Sequence, residues 1–181
     1  PENNIASQVY SADNVALGNY YYQNRTYINF DELSSNMVHA LIATEDCRFE
    51  RHAGIDGIAL LRVMYGLATG THKGGGSTIT QQLAKNLFPR DTTSYNSKFV
   101  YYANLTLNKF KEWVTAVKLE RNYTKEEILV MYLNTVYFGY HSYGIKSAAK
   151  TFFNTTPKKL TVSEAATLVG LLKAPSYYSP V

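Results

Sequence analysis

Apolar residues recur at three- and four-residue spacing along most of this chain, and caps, glycines and prolines cut the pattern into short pieces. Helices satisfy such a pattern and strands do not, so the expected fold is mostly α. Leu33, Met37, Leu41 and Ile42 share one face of a helix that leads into Glu45. Residues 46–56 hold no period and read as a loop. Ile58, Leu61, Met64, Tyr65 and Ala68 form a second stripe, expected to face inward, with Gly70 at its C-terminal cap. Ser77 is placed to cap a helix over Thr78–Leu87, which Pro89 stops. A long helix is predicted from about Ser97 to Arg121, with Phe99, Ala103, Phe110, Val114 and Val117 on its buried side. Thr124-Lys125-Glu126-Glu127 and Thr161-Val162-Ser163-Glu164 have the form of capping boxes. The first opens a helix to Asn134 and the second a helix that Pro175 ends, with another over Gly144–Phe153 between them. Residues 1–30 alternate polar and aromatic residues around Asp13-Asn14 and Gly18-Asn19, as a short extended hairpin or linker does. Seven or so helices follow in residues 31–181, a length natural for one domain built as two lobes.

The chain has 181 residues, 45% hydrophobic and 18% charged, enough apolar content for a core. Its net charge of +4 favours anionic partners: phosphates, nucleic acid or an acidic membrane surface. Sixteen tyrosines stand against one tryptophan. Tyrosine suits half-wet surfaces such as sugar clefts and membrane-facing patches, but packs equally well in cores. The lone Cys47 excludes an internal disulfide and a cysteine-rich metal site. No run of about 18 apolar residues offers a transmembrane helix, so a membrane anchor is expected outside this chain.

Three polar constellations could carry chemistry. The densest runs from Glu45 to Asp56. A carboxylate at the end of an apolar helix can be partly desolvated, as a general base needs, with Arg48, Arg51 and His52 to orient it or meet an anion. A charged helix terminus with local salt bridges reads equally well there. The second is the glycine-led helix start from Gly74 to Asn86, where backbone N–H groups and the helix dipole favour negative charge. Thr78, Gln82 and Lys85 lie at i, i+4 and i+7, so one face offers a hydroxyl, an amide and an ammonium. An ordinary capped amphipathic helix is the plainer alternative. Third, Glu112 lies on the long helix beside Lys109 and Lys111, on a solvated stripe or facing Glu45 across a cleft. The scattered histidines offer no metal-ligand pair, and neither a Gly-x-Ser-x-Gly elbow nor an RNA-binding signature is present. No nucleic-acid partner is expected.

These segments, in this order, resemble the motifs of glycosyltransferase family 51. EDCRFERHAGID at 45–56 is similar to its first motif, GGGSTITQQLAKN at 74–86 to its second, and NKFKE at 108–112 to its third. KEEILVMYLN at 125–134 resembles the fourth, and LLKAPSYYSP at 171–180 the lysine-and-serine segment that comes next. Asn108 departs from the pattern, which has arginine there. The chain also ends before the family's last, arginine-rich motif, which implies a parent chain that continues, often into a transpeptidase domain.

The resemblance implies a lysozyme-like helical domain with a small membrane-facing lobe, on the outer face of the bacterial cytoplasmic membrane. It implies a peptidoglycan glycosyltransferase that joins lipid II to a growing lipid-linked glycan, inverting the anomeric carbon and expelling the lipid diphosphate. A lysozyme-type hydrolase would share the fold and is the alternative. Glu45 would be the general base, and Glu112 would assist the leaving group or hold a divalent cation such as Mg2+, with no cofactor required. Substrate contacts would come from Asp46, Arg48, Phe49, His52, Ser77, Thr78, Gln82, Lys85, Asn86, Lys109, Lys173 and Ser176. Leu61, Met64, Leu67, Leu87 and Phe88 are candidates to meet lipid, with burial in the core as the alternative.

Overall fold

The computed structural model describes residues 7–14, 16–20, 24, 25, 27–71, 75–89 and 98–173. Seven α-helices occupy most of these residues: α1 (Ser35–Glu45), α2 (Gly57–Ala68), α3 (Ile79–Leu87), α4 (Lys98–Asn122), α5 (Lys125–Thr135), α6 (Ile145–Phe153) and α7 (Val162–Lys173). Two strands, β1 (Ser7–Tyr10) and β2 (Ala16–Tyr20), form the antiparallel hairpin expected near the N-terminus. A second, minimal sheet pairs β3 (Asn24–Arg25) with β4 (Ser142–Tyr143) in parallel. The mostly α expectation holds.

The chain divides into two compact units, one of residues 1–44 and 130–181 and one of residues 45–129. In the first, Met37 and Leu41 of α1 are fully buried, as are Ile145, Ala148 and Ala149 of α6 and Leu168 and Leu171 of α7. The Asn134 side chain joins this core to the N-terminal segment, accepting from the Ile28 N–H at 3.1 Å and donating to the Ile28 carbonyl at 2.9 Å. The Thr161 capping box forms as predicted: the Thr161 N–H reaches Glu164 Oε2 at 2.8 Å, and the Glu164 N–H returns to the Thr161 hydroxyl at 3.4 Å.

In the second unit the Thr124 box forms in the same way, its N–H donating to Glu127 Oε2 at 2.7 Å. Here the sequence reading of faces needs correction twice. The stripe assigned to the inside of α2 lies outside: Leu61 is 68% and Met64 65% exposed, and Ile58 and Tyr65 are similarly open, while Ala59 and Gly66 are buried. On α4 the buried residues are Glu112 and Ala116, whereas Phe99, Phe110 and Val114 are exposed. Close approach explains α4. Gly54 sits at φ +89°, and a Cβ there would lie 2.9 Å from the carbonyl carbon and oxygen of Ala116. A face that meets another backbone this closely has room for alanine and not for phenylalanine.

Candidate active site

The loop between α1 and α2 is built around carboxylates. Asp56 is the N-cap of α2, its Oδ1 accepting from the Ala59 N–H at 3.0 Å, while Arg48 Nη2 binds its Oδ2 at 2.7 Å. Burial works to raise the Asp56 carboxyl, but the Arg48 and Ala59 hydrogen bonds outweigh it and hold the group below its ordinary value. Arg48 is raised in turn by the same bond. Phe49 is fully buried, with its ring edge-on to His52 at 6.2 Å between centroids. His52 Nε2 lies 3.0 Å from both Asp46 oxygens, and its Nδ1 accepts from the Gly54 N–H at 3.3 Å. That pattern assigns the imidazole proton to Nε2, which donates to Asp46.

Asp46 in turn accepts from the Ile79 N–H, the first of α3, at 3.0 Å. The cap of α3 is Thr78 rather than Ser77. Thr78 is extended, its hydroxyl accepts from the Gln81 N–H at 3.1 Å, and the same hydroxyl donates to the Gly54 carbonyl at 2.8 Å. Ser77 is left to accept from Lys109 Nζ at 2.8 Å. Thr78 is therefore buried in the scaffold, and the expected three-residue face reduces to Gln82 and Lys85. Gln82 Nε2 donates to Glu45 Oε2 at 2.8 Å, so the catalytic candidate is tied to α3.

One cavity of about 260 Å³ is lined by Ser77, Gln81, Gln82, Lys85, Lys109 and Glu112. Glu112 is buried, and its Oε2 lies 3.1 Å from Lys109 Nζ. Glu112 also lines a second cavity of about 220 Å³ with Phe88, Asn108, Lys111 and Thr115. A buried carboxylate between two ammonium-bearing cavities can hold lysine heads in place while leaving charge for an anion. Gln81 was not singled out by sequence reasoning. It is buried, its Nε2 donates to the Gly54 carbonyl at 3.1 Å, and its Oε1 has no hydrogen-bond partner among the described residues. Its only sequence signal is a second amide beside Gln82, on the side that helical spacing turns inward.

Asn86 is exposed beside Lys85, Arg48 is engaged by Asp56, and Lys173 is exposed at the end of α7 in the other unit. Ser176 lies outside the described residues. The Lys109 ammonium takes the expected cation position near Glu112, so a divalent ion there would share one carboxylate with a like-charged group, a poor fit. Ligand atoms of Asp46, His52 and Asp56 do lie within 4.8 Å of one another. Each of them already holds a protein partner, so the group reads as a hydrogen-bonded network. A larger groove of about 690 Å³ in the first unit, between Phe30, Asn36, His39 and Lys158, contains none of the motif residues and is set aside on that ground.

Glu45, Glu112, Lys109 and Lys85 thus gather along α3, from the residues just before its first turn to its last. The transglycosylase family model matches residues 13–181, and the chain belongs to that family. It is 39% identical over 180 residues to penicillin-binding protein 1A of Escherichia coli strain K12, covering 98% of this chain and 20% of that protein. It is 41% identical over 177 residues to penicillin-binding protein 1F of Bacillus subtilis strain 168, and 39% identical over 177 to penicillin-binding protein 1A of Aquifex aeolicus strain VF5. Each of these alignments covers 97% of this chain and 23% of the relative. The chain thus spans about a fifth of the length of the curated relatives it matches. It is a transglycosylase domain, and the lysozyme-type alternative is not favoured.

Proposed function

We propose that this domain polymerises lipid II, transferring a growing glycan from its lipid diphosphate to the 4-hydroxyl of the acceptor sugar. The observation that carries the reading is the bond from Gln82 to Glu45, which ties a carboxylate to the helix whose Lys85 shares a cavity with Lys109 and Glu112. The acceptor hydroxyl attacks the anomeric carbon from the face opposite the diphosphate. Its proton passes to Glu45, the bond from carbon to phosphate oxygen breaks, and the configuration inverts. The diphosphate leaves as an anion and needs no proton, so ammonium groups and N–H donors suffice to stabilise it. Lys85 and Lys109 supply that charge, and Ser77 and Glu112 hold Lys109 in place. A hydrolase would instead need water as the acceptor and an acid to protonate a sugar leaving group.

The exposed apolar residues of α2 (Ile58, Leu61, Met64, Tyr65 and Leu67), with Phe88, suit contact with the acyl region of a membrane, and the positive charge suits its anionic headgroups. Among the described residues no helix is long and apolar enough to cross a membrane. In this reading the domain works on the outer face of the cytoplasmic membrane, held there by an anchor elsewhere and joined in its parent chain to a transpeptidase domain. Incubation of the domain with lipid II in detergent tests the proposal: a ladder of glycan polymer with release of lipid diphosphate is the expected product. Unchanged lipid II, or cleavage of preformed glycan, overturns it.

A further inference from the structure

The first residue of α5, Lys125, makes more contacts than a helix-opening lysine needs. Its Nζ donates to the His52 carbonyl at 2.7 Å, lies 2.9 and 2.8 Å from the two Glu120 oxygens, and sits 4.2 Å from the centre of the buried Phe49 ring. Three donors and the cationic face of one ammonium are thereby used. The Glu120 side chain is buried, and its Oε1 also accepts from the hydroxyl of Thr80 at 2.6 Å, a fully buried residue in the first turn of α3. One ion pair therefore grips two pieces of chain. Through His52 and Phe49 it holds the loop that begins after Glu45, and through Thr80 it holds the helix whose Gln82 binds Glu45.

We propose that Lys125 and Glu120 are positioning residues that set the orientation of Glu45 without touching substrate. Neither they nor Thr80 line the cavity of Ser77, Lys85 and Lys109. Their influence runs through His52, whose ring holds Asp46, and through Asp46, which holds the Ile79 N–H. Glu45 is fixed from both ends of this circuit: by the backbone next to Asp46 and by the side chain of Gln82. An ammonium spanning loop and helix keeps the two in register, and a loose Glu45 would miss the acceptor hydroxyl. The catalytic part of the inference rests on the transglycosylase reading; the geometric part does not.

The test compares the parent chain with Lys125→Met, Lys125→Arg and Thr80→Val. It measures kcat and KM on lipid II well below each melting temperature, the imidazole 15N shifts of His52, and hydrogen exchange at the Ile79 N–H. Lys125→Met should lower kcat by roughly 10- to 100-fold, the scale of misplaced reacting groups, with KM within about twofold. Its His52 spectrum should lose the single Nε2-protonated form, and Ile79 should exchange faster. Lys125→Arg should recover most of both, and Thr80→Val should lose roughly 3- to 10-fold in kcat, as one buried hydrogen bond would. Should Lys125→Met fail to fold, the other two variants decide by the same measurements. Folded variants that keep the parent's His52 spectrum, Ile79 protection and kcat overturn the inference. A parent chain that makes no polymer overturns the transglycosylase reading instead, and the spectra still decide whether the ion pair sets the geometry.

Discussion

Helices α2 and α3 belong to the same unit and invert each other's chemistry. In α2 the apolar residues Leu61, Met64 and Leu67 lie open, and a glycine and an alanine are buried. In α3 the polar residues Thr80 and Gln81 are buried beside Ile79 and Leu83. Burying hydroxyl and amide groups is unfavourable unless each finds a partner, so a helix that does so is held by specific bonds rather than by area alone. Leaving apolar side chains in water is unfavourable unless something other than water meets them. In the proposed function the contrast separates a surface that reacts from one that attaches.

The sharpest way to probe the reactive side is Glu45→Gln. Glutamine can still accept from Gln82 through its own oxygen, so the fold and substrate binding should survive while turnover falls by roughly 10²–10⁴-fold, the range for a lost general base. A single-turnover assay at saturating lipid II checks this, and turnover within a few-fold of the parent removes Glu45 from the role. Next in size is a pair of core and surface changes. Leu83→Ala on α3 should destabilise by about 2–5 kcal/mol, as other buried leucines do. Met64→Ser on α2 should stay within about 0.5 kcal/mol by chemical denaturation, yet weaken binding to anionic vesicles. A large stability loss from Met64→Ser would return the α2 stripe to the core and dissolve the contrast.

The smallest effect concerns the start of α2. Because the Asp56 carboxyl is held below its ordinary value when folded, its contribution is present above the unfolded value, about pH 3.9, and is lost as pH falls through the folded one. Asp56→Asn should cost about 1–2 kcal/mol near neutrality, for the weakened cap and the lost Arg48 pair, and should flatten the fall in melting temperature below about pH 4. An unchanged acid limb would assign that limb to other carboxylates.

Legibility in the sequence depended on range. Capping boxes are written within four residues, and those at Thr124 and Thr161 formed as read. The order of the motifs placed Glu45, Gln82, Lys85, Lys109 and Glu112 in one family pattern. Faces were misread on α2 and α4 because periodicity shows that a stripe is apolar, not what it meets. The difference is largest where the meeting surface is a backbone, as at Ala116, or where the stripe meets none of the described residues closely enough to be buried, as on α2. Thr78 and Ser77 exchanged roles because both can cap, and only the bond from Thr78 to Gly54, 24 residues away, selects between them. Lys125 reads in the sequence only as part of a capping box and a motif for a similar reason: its partner His52 is 73 residues distant.

In the proposed function the reaction centre is laid against bare main chain at Gly54, and that leaves evolution little room. The Gly54 carbonyl takes Thr78 and Gln81, its N–H takes His52, and its missing side chain is the gap into which α4 fits. Most positions offer a graded series of replacements, each a little worse than the last. Position 54 offers none, since even one added carbon meets both a left-handed backbone and the Ala116 peptide. A saturation library of this domain should therefore show a cliff at residue 54 and gentle slopes across α2. The boundary between those two terrains would outline the reactive surface without any ligand having to be bound.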